Sequence, residues 1–147
     1  MESFKPVRIL LVEDNPDDVE ITRRALAKSR VANELQVVRD GQEALEFLFG
    51  SAEHGADPLR PDLILLDVNL PKANGMEVLA KIRADQQLAM IPVIMLTASD
   101  REEDIVRSYR LGSNTYIQKP VEFEKFLHAL DVLGQYWIVI AKLPPAA

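Results

Sequence analysis

The chain has 147 residues, 48% of them hydrophobic and 27% charged, a composition suited to one globular domain with one well-formed core. Seventeen Lys and Arg against 23 Asp and Glu leave a net charge of −6, which excludes a basic surface for neutralising nucleic-acid phosphates. The absence of cysteine excludes disulfides, thiolate metal sites and cysteine nucleophiles.

The start, Met1-Glu2-Ser3-Phe4-Lys5-Pro6, has no apolar signal stretch, and apolar runs elsewhere fall far short of the roughly 18 residues of a spanning helix. A cytoplasmic protein with no membrane contact is expected. The first strand is the apolar run Val7-Arg8-Ile9-Leu10-Leu11-Val12. Asn15-Pro16 then supplies a helix cap and a first-turn proline, and Asp17, Asp18 and Glu20 put negative charge at the positive end of the helix dipole. That first helix is expected from Pro16 to about Lys28. Leu35-Gln36-Val37-Val38 is the second strand, and Asp40 before Gly41 opens a second helix with the stripe Ala44, Leu45, Leu48.

A polar loop from Gly50 to Pro61 leads to the third strand, Leu63-Ile64-Leu65-Leu66. Gly75 begins a third helix carrying Val78, Leu79 and Ile82, and Val93-Ile94-Met95-Leu96 is the fourth strand. Asp100 with Glu103 forms a capping-box pattern for a fourth helix that Gly112 stops. Thr115-Tyr116-Ile117 is the fifth strand, and the spacing of Phe123, Phe126, Leu127, Leu130, Leu133, Trp137 and Ile138 predicts a fifth helix reaching about Ala141. Strands three and four lack polar alternation, as expected of strands covered by helices on both faces. The order βαβαβαβαβα with right-handed crossovers predicts an α/β fold: a doubly wound, five-stranded parallel sheet ordered 2-1-3-4-5.

In such a sheet, ligands sit at the carboxyl ends of the strands, near the switch point between strands one and three. Glu13 and Asp14 follow the first strand and Asp67 follows the third, so three carboxylates are expected in one pocket. Their mutual repulsion calls for a cation, and an all-oxygen set suits Mg²⁺ or Mn²⁺ rather than zinc or copper. Thr97 and Lys119, after strands four and five, bring a hydroxyl and an ammonium to the same edge. Together these groups fit a transferred phosphoryl group, with Asp67 attacking phosphorus and Lys119, Thr97 and the metal neutralising or hydrogen-bonding its oxygens. Taken singly, Glu13 and Asp14 also read as helix caps, Thr97 as a turn residue and Lys119 as a solvated charge; their joint occurrence at four strand ends favours the site. His54 and His128 have no matching ligand spacing and are read as surface or packing residues.

With those residues in place, the chain resembles the receiver domains of two-component response regulators. The resemblance rests on Ile9-Leu10-Leu11-Val12-Glu13-Asp14-Asn15, on Pro61 through Pro71 with Asp67 inside it, on Gly75, on Pro92-Val93-Ile94-Met95-Leu96-Thr97-Ala98 and on Lys119-Pro120, and it spans about Val7 to Gly134. It implies that Asp67 is the phosphoacceptor, that Asp14, Asp67 and the main-chain carbonyl of Asn69 hold Mg²⁺ with help from Glu13 through water, and that a sensor histidine kinase is the donor. It also implies a cis Lys119-Pro120 peptide and a switch in which Thr97 and Tyr116 reshape the face of helix four, strand five and helix five. From the residues alone, Tyr116 reads as core rather than as a switch.

Glu13 stands where many members have aspartate, and Asn69 occupies a position that tunes the lifetime of the phosphoryl group in the family. The segment Gly134 to Pro145 is longer than a minimal receiver needs, and Tyr136, Trp137, Val139 and Ile140 cannot all face one core. It suits either a partner surface or a closing turn on the domain itself. This tail, with the insertion before strand three, resembles the stand-alone regulators paired with bacterial phytochrome kinases, which implies a homodimer using the last helix. No residues remain for an output domain, so the expected output is an interaction with a downstream protein that the sequence does not name. A phosphatase of the haloacid-dehalogenase type would need a second aspartate where Asn69 stands. A nucleotide or flavin binder would need a glycine-rich phosphate loop that is absent, and a degenerate scaffold would not need Asp14, Asp67, Thr97 and Lys119 together.

Overall fold

The computed structural model describes residues 7–28, 33–50, 60–98, 101 and 115–133. Five strands and four helices lie within them: β1 (Val7–Val12), α1 (Pro16–Ala27), β2 (Asn33–Val38), α2 (Gly41–Phe49), β3 (Leu63–Asp67), α3 (Gly75–Ala84), β4 (Val93–Thr97), β5 (Thr115–Gln118) and α4 (Phe123–Val132). The strands form one sheet in the order β2-β1-β3-β4-β5, and every adjacent pair is parallel. The expected doubly wound α/β topology is therefore the observed one. The predicted fourth helix with its cap Asp100 and stop Gly112, the chain from Gly134 onward, and His54 lie outside the described residues. Among the described residues, no helix is long and apolar enough to cross a membrane.

Alternation along the central strands explains their apolar runs at 9–12, 63–66 and 93–96. Side chains of a strand point to opposite faces in turn, so a strand covered on both sides must be apolar at every position. Ile9, Leu11, Leu63 and Leu65 pack on one face with Ala25 and Leu26 of α1 and Phe126, Ala129 and Leu130 of α4. Leu10, Val12, Ile64 and Leu66 pack on the other with Val78, Leu79 and Ile82 of α3 and Ala44 of α2. The edge strand β2 is partly buried to exposed until Val38, matching its polar residues Glu34 and Gln36.

Helix starts are set locally. Asn15 Oδ1 accepts from the Asp17 and Asp18 amides, Asp40 Oδ1 from the Glu43 amide, and Asn74 Oδ1 from the Glu77 amide. Each cap satisfies amides that the first helical turn leaves without partners. It also fixes where the chain leaving a strand end turns back, and so which residues remain at the carboxyl edge of the sheet.

Candidate functional site

All strands being parallel, their carboxyl ends share one edge, and the register decides which side chains meet there. Val12 pairs with Leu66, Asp67 with Leu96, and Thr97 with Gln118. Asp67 and Thr97 are thus the last residues of β3 and β4 rather than the first residues beyond them. The sequence expectation is corrected by one position in each case, because Val68 N donates to Leu96 O at 3.0 Å and Lys119 N to Thr97 O at 2.7 Å, carrying the pairing past the apolar runs. The consequence is burial: Asp67 is 3% exposed and Thr97 is fully enclosed. Glu13 is held just past β1, its amide donating to Val38 O, and is also buried. Asp14 beside it is exposed.

Glu13, Asp14 and Asp67 each offer a carboxylate oxygen, and the three oxygens lie within 4.8 Å of one another. Lys119, partly buried at the end of β5, extends its ammonium into this group. Its Nζ lies 2.9 Å from Asp67 Oδ2, 2.6 Å from Glu13 Oε1 and 3.3 Å from Asp18 Oδ2. Asp67 Oδ1 accepts from the Asn69 amide at 3.1 Å, and Glu13 Oε2 from the Asn15 amide at 3.3 Å. Two buried oxygens lack a hydrogen bond among the described residues: Thr97 Oγ1, and Glu13 Oε1, whose close approach to Lys119 is an ion pair off the hydrogen-bonding direction.

Burial, then the hydrogen bond and negative charge of Asp67, push the Glu13 carboxyl up to about 7, with Lys119 opposing the rise. For Lys119, burial alone lowers the ammonium's affinity for its proton, but its close contacts with the Glu13 and Asp67 carboxylates outweigh burial and hold it above the ordinary lysine value. One ammonium therefore serves a crowd of carboxylates, and Glu13 ionises against resistance. The excess of anionic oxygen and the poorly bonded Glu13 Oε1 fit a hard divalent cation with oxygen ligands. A buried hydroxyl at Thr97 with no hydrogen bond among the described residues fits an oxyanion arriving from outside.

Every site residue read from the sequence is at this edge except Tyr116, which lies further back along β5, paired with Met95 and partly buried against the core on the α3 side of the sheet. The Asn69 side chain is exposed, two positions past Asp67. The peptide Lys119-Pro120 is cis. His128 is exposed on α4, apart from the cluster. Asp18, a helix-dipole residue by its sequence position, is also the third anionic partner of Lys119, a role that the sequence pattern alone does not show. The available signal was its position in the first turn of α1, which starts beside the carboxyl edge.

Such a sheet, with three carboxylates at the switch point and a threonine and a lysine at the ends of the next two strands, defines a phosphoacceptor class. Residues 9–131 match the family model of the response regulator receiver domain, and the chain belongs to that family. It is 40% identical over 145 residues to the response regulator Rcp1 of Synechocystis sp., covering 99% of this chain and 98% of Rcp1. A solved Mn²⁺-bound form of Rcp1 superposes with a TM-score of 0.70 at 38% identity, covering 97% of this chain and 98% of that one. The bacteriophytochrome response regulator AtBRR is 48% identical with a TM-score of 0.82, over 90% of this chain and 96% of its own. The phosphorylated cyanobacterial phytochrome response regulator RcpA is 42% identical with a TM-score of 0.73, over 95% and 99%. The protein is a response regulator homologous to phytochrome response regulators. Receiver domains accept phosphoryl groups from histidine kinases and bind a divalent metal.

Proposed function

We propose that residues 1–147 form a single receiver domain, with its core at about Val7 to Gly134 and an extension over 135–147, and that Asp67 is its phosphoacceptor. The observation that carries this reading is the placement of Lys119 Nζ at 2.9 Å from the buried Asp67 Oδ2, within a carboxylate cluster at the sheet's switch point. An Asp67 carboxylate oxygen attacks the phosphorus of a kinase phosphohistidine. An O–P bond forms as the N–P bond breaks, and the electron pair returns to the imidazole nitrogen. Lys119 transfers its contact from the carboxylate to a phosphoryl oxygen, and the Thr97 hydroxyl donates to another.

Glu13, Asp14, Asp67 and the Asn69 carbonyl would hold Mg²⁺, with Mn²⁺ as the alternative. The ion supplies neutralisation of negative charge on the phosphoryl oxygens. Autodephosphorylation follows when water attacks phosphorus, releasing inorganic phosphate and restoring the carboxylate, with the Asn69 side chain governing access. Movement of Thr97 toward the phosphoryl group frees space into which Tyr116 turns, altering the face of the predicted fourth helix, β5 and α4.

The names of its relatives support a bacterial phytochrome kinase as donor, and the apolar extension supports a homodimer using the last helix. The reading places the protein in the cytoplasm, with a downstream protein target and neither nucleic acid nor membrane as partner. The test is intact-protein mass after incubation with Mg²⁺ and a small phosphoryl donor. A single base-labile phosphoryl adduct in wild type and none in Asp67→Asn is the expected result, and stable labelling of Asp67→Asn overturns it. For the dimer, truncation after Gln135 is expected to halve the solution mass; an unchanged mass counts against it.

A further inference from the structure

The loop between β3 and α3, residues 68–74, carries the amide that holds Asp67 Oδ1 and, in the reading above, the Asn69 carbonyl that faces the metal. Its far end is pressed against α2, an element that contributes no side chain to the carboxylate site. Gly41, the first residue of α2, is buried there, and its amide donates to Pro71 O at 3.3 Å. A Cβ on Gly41 would stand 2.1 Å from Ala73 O, 2.7 Å from Ala73 Cβ and 2.8 Å from Ala73 C. None of these atoms belongs to a flexible side chain that could swing aside. Any side chain at position 41 must therefore displace the loop or the helix.

Neither has slack. The helix is anchored by the Asp40 cap to the Glu43 amide at 2.7 Å, by the return bond from the Arg39 amide to Glu43 Oε2 at 3.2 Å, and by the fully buried Ala44. In the loop, Pro71 O accepts from Ala73 N at 2.8 Å across Lys72, which has φ of 70°, a left-handed conformation costly for lysine. Lys72 Nζ also lies 3.6 Å from Asp40 Oδ2, tying the strained turn to the cap of α2. At its other end, Gly75 N donates to Val68 O at 2.9 Å, and the missing Cβ of Gly75 would fall 2.1 Å from Asp67 O. A push at Ala73 is thus passed along a short, doubly anchored segment to Asn69 and Asp67.

We propose that Gly41 is a positioning residue for phosphoryl acceptance: by lacking a side chain it lets α2 clamp the 68–74 loop, fixing the Asn69 amide and carbonyl relative to the Asp67 carboxylate. The proposal rests on Asp67 as acceptor and Asn69 as metal ligand. Linkage makes the clamp reciprocal, since an ion that fixes the loop must also tighten its contact with α2.

The test compares wild type with Gly41→Ala at a temperature where unfolding curves place both fully in the folded state. Magnesium dissociation constants come from calorimetry, and phosphoryl acceptance is followed by intact mass with a small phosphoryl donor. Gly41→Ala is expected to weaken Mg²⁺ binding about fivefold and to slow acceptance about tenfold, since sub-ångström misplacement of reacting groups costs rate steeply. Ala73→Gly added to Gly41→Ala, which removes the 2.7 Å Cβ contact and frees residue 73 to turn its carbonyl away, is expected to restore part of both. A folded Gly41→Ala with a wild-type dissociation constant and rate overturns the proposal. Should Gly41→Ala not fold, amide hydrogen exchange in wild type decides. Saturating Mg²⁺ must slow exchange at the Gly41 and Ala73 amides, and unchanged protection there overturns the clamp. Wild type that takes no phosphoryl group while binding Mg²⁺ and protecting Gly41 would instead remove the acceptor reading and leave the clamp standing.

Discussion

Lys119 Nζ donates to Asp67 Oδ2 at 2.9 Å, joining residues 52 positions apart, and the same ammonium contacts Glu13 and Asp18. Among the described residues, this ammonium is the cation paired with the acidic edge of the sheet. It competes with a divalent cation for the Glu13 and Asp67 carboxylates and offers a positive charge to an incoming phosphoryl group.

Lys119→Met keeps most of the unbranched length of the side chain and removes its charge. The carboxylates then face an incoming cation without a competing ammonium, so Mg²⁺ is expected to bind about tenfold more tightly. Phosphoryl acceptance is expected to slow about a hundredfold, because a group that stabilises developing charge has gone. Calorimetry and mass labelling on the same preparation measure the two effects, whose opposite signs separate charge competition from general damage to the site. Weaker Mg²⁺ binding in Lys119→Met contradicts the account.

Thr97→Val replaces a fully buried hydroxyl, lacking a hydrogen bond among the described residues, with a methyl group of similar shape. An unsatisfied buried polar group costs about 1–3 kcal/mol, so the unphosphorylated variant is expected to be about 1 kcal/mol more stable in urea unfolding. The phosphorylation-dependent change in the Tyr116 amide signal is expected to vanish, because the hydroxyl that would follow the phosphoryl group is missing. A loss of stability in Thr97→Val would mean that the hydroxyl has a partner in the folded protein.

Asp14→Asn separates metal binding from folding. Asp14 is exposed, so in chelator the variant is expected to unfold within about 0.5 kcal/mol of wild type. Wild type at a Mg²⁺ concentration of 100 times its dissociation constant gains about 2.7 kcal/mol, and Asp14→Asn is expected to lose most of that gain at the same concentration. Denaturant midpoints with and without Mg²⁺ check this, and an undiminished shift in the variant would move the ion elsewhere.

Gly75→Ala places a methyl group 2.1 Å from the main-chain oxygen of Asp67, which β3 holds in the middle of the sheet. Overpacking against backbone is expected to cost about 3 kcal/mol, read as a lower urea midpoint at unchanged slope. A variant as stable as wild type would show that α3 can back away from β3.

The local order of strands and helices was written in the sequence, because period, caps and turn residues act within a few positions. Leu63 to Leu66, apolar without interruption, already required helices on both faces, and the acids at Glu13, Asp14 and Asp67 fell at strand ends that a parallel sheet must bring to one edge. Thr97 and Lys119 were legible for the same reason. Tertiary structure alone decided how far the ladders run, so that Asp67 and Thr97 became buried strand residues. It also decided that Asp18, 101 positions from Lys119, shares its ammonium, that Glu13 is buried enough to resist ionising, and that Gly41 lies against Ala73. These last features depend on distances between side chains and backbones of remote segments. Such distances are set by packing two helical layers on a twisted sheet, and no local pattern in the chain encodes them.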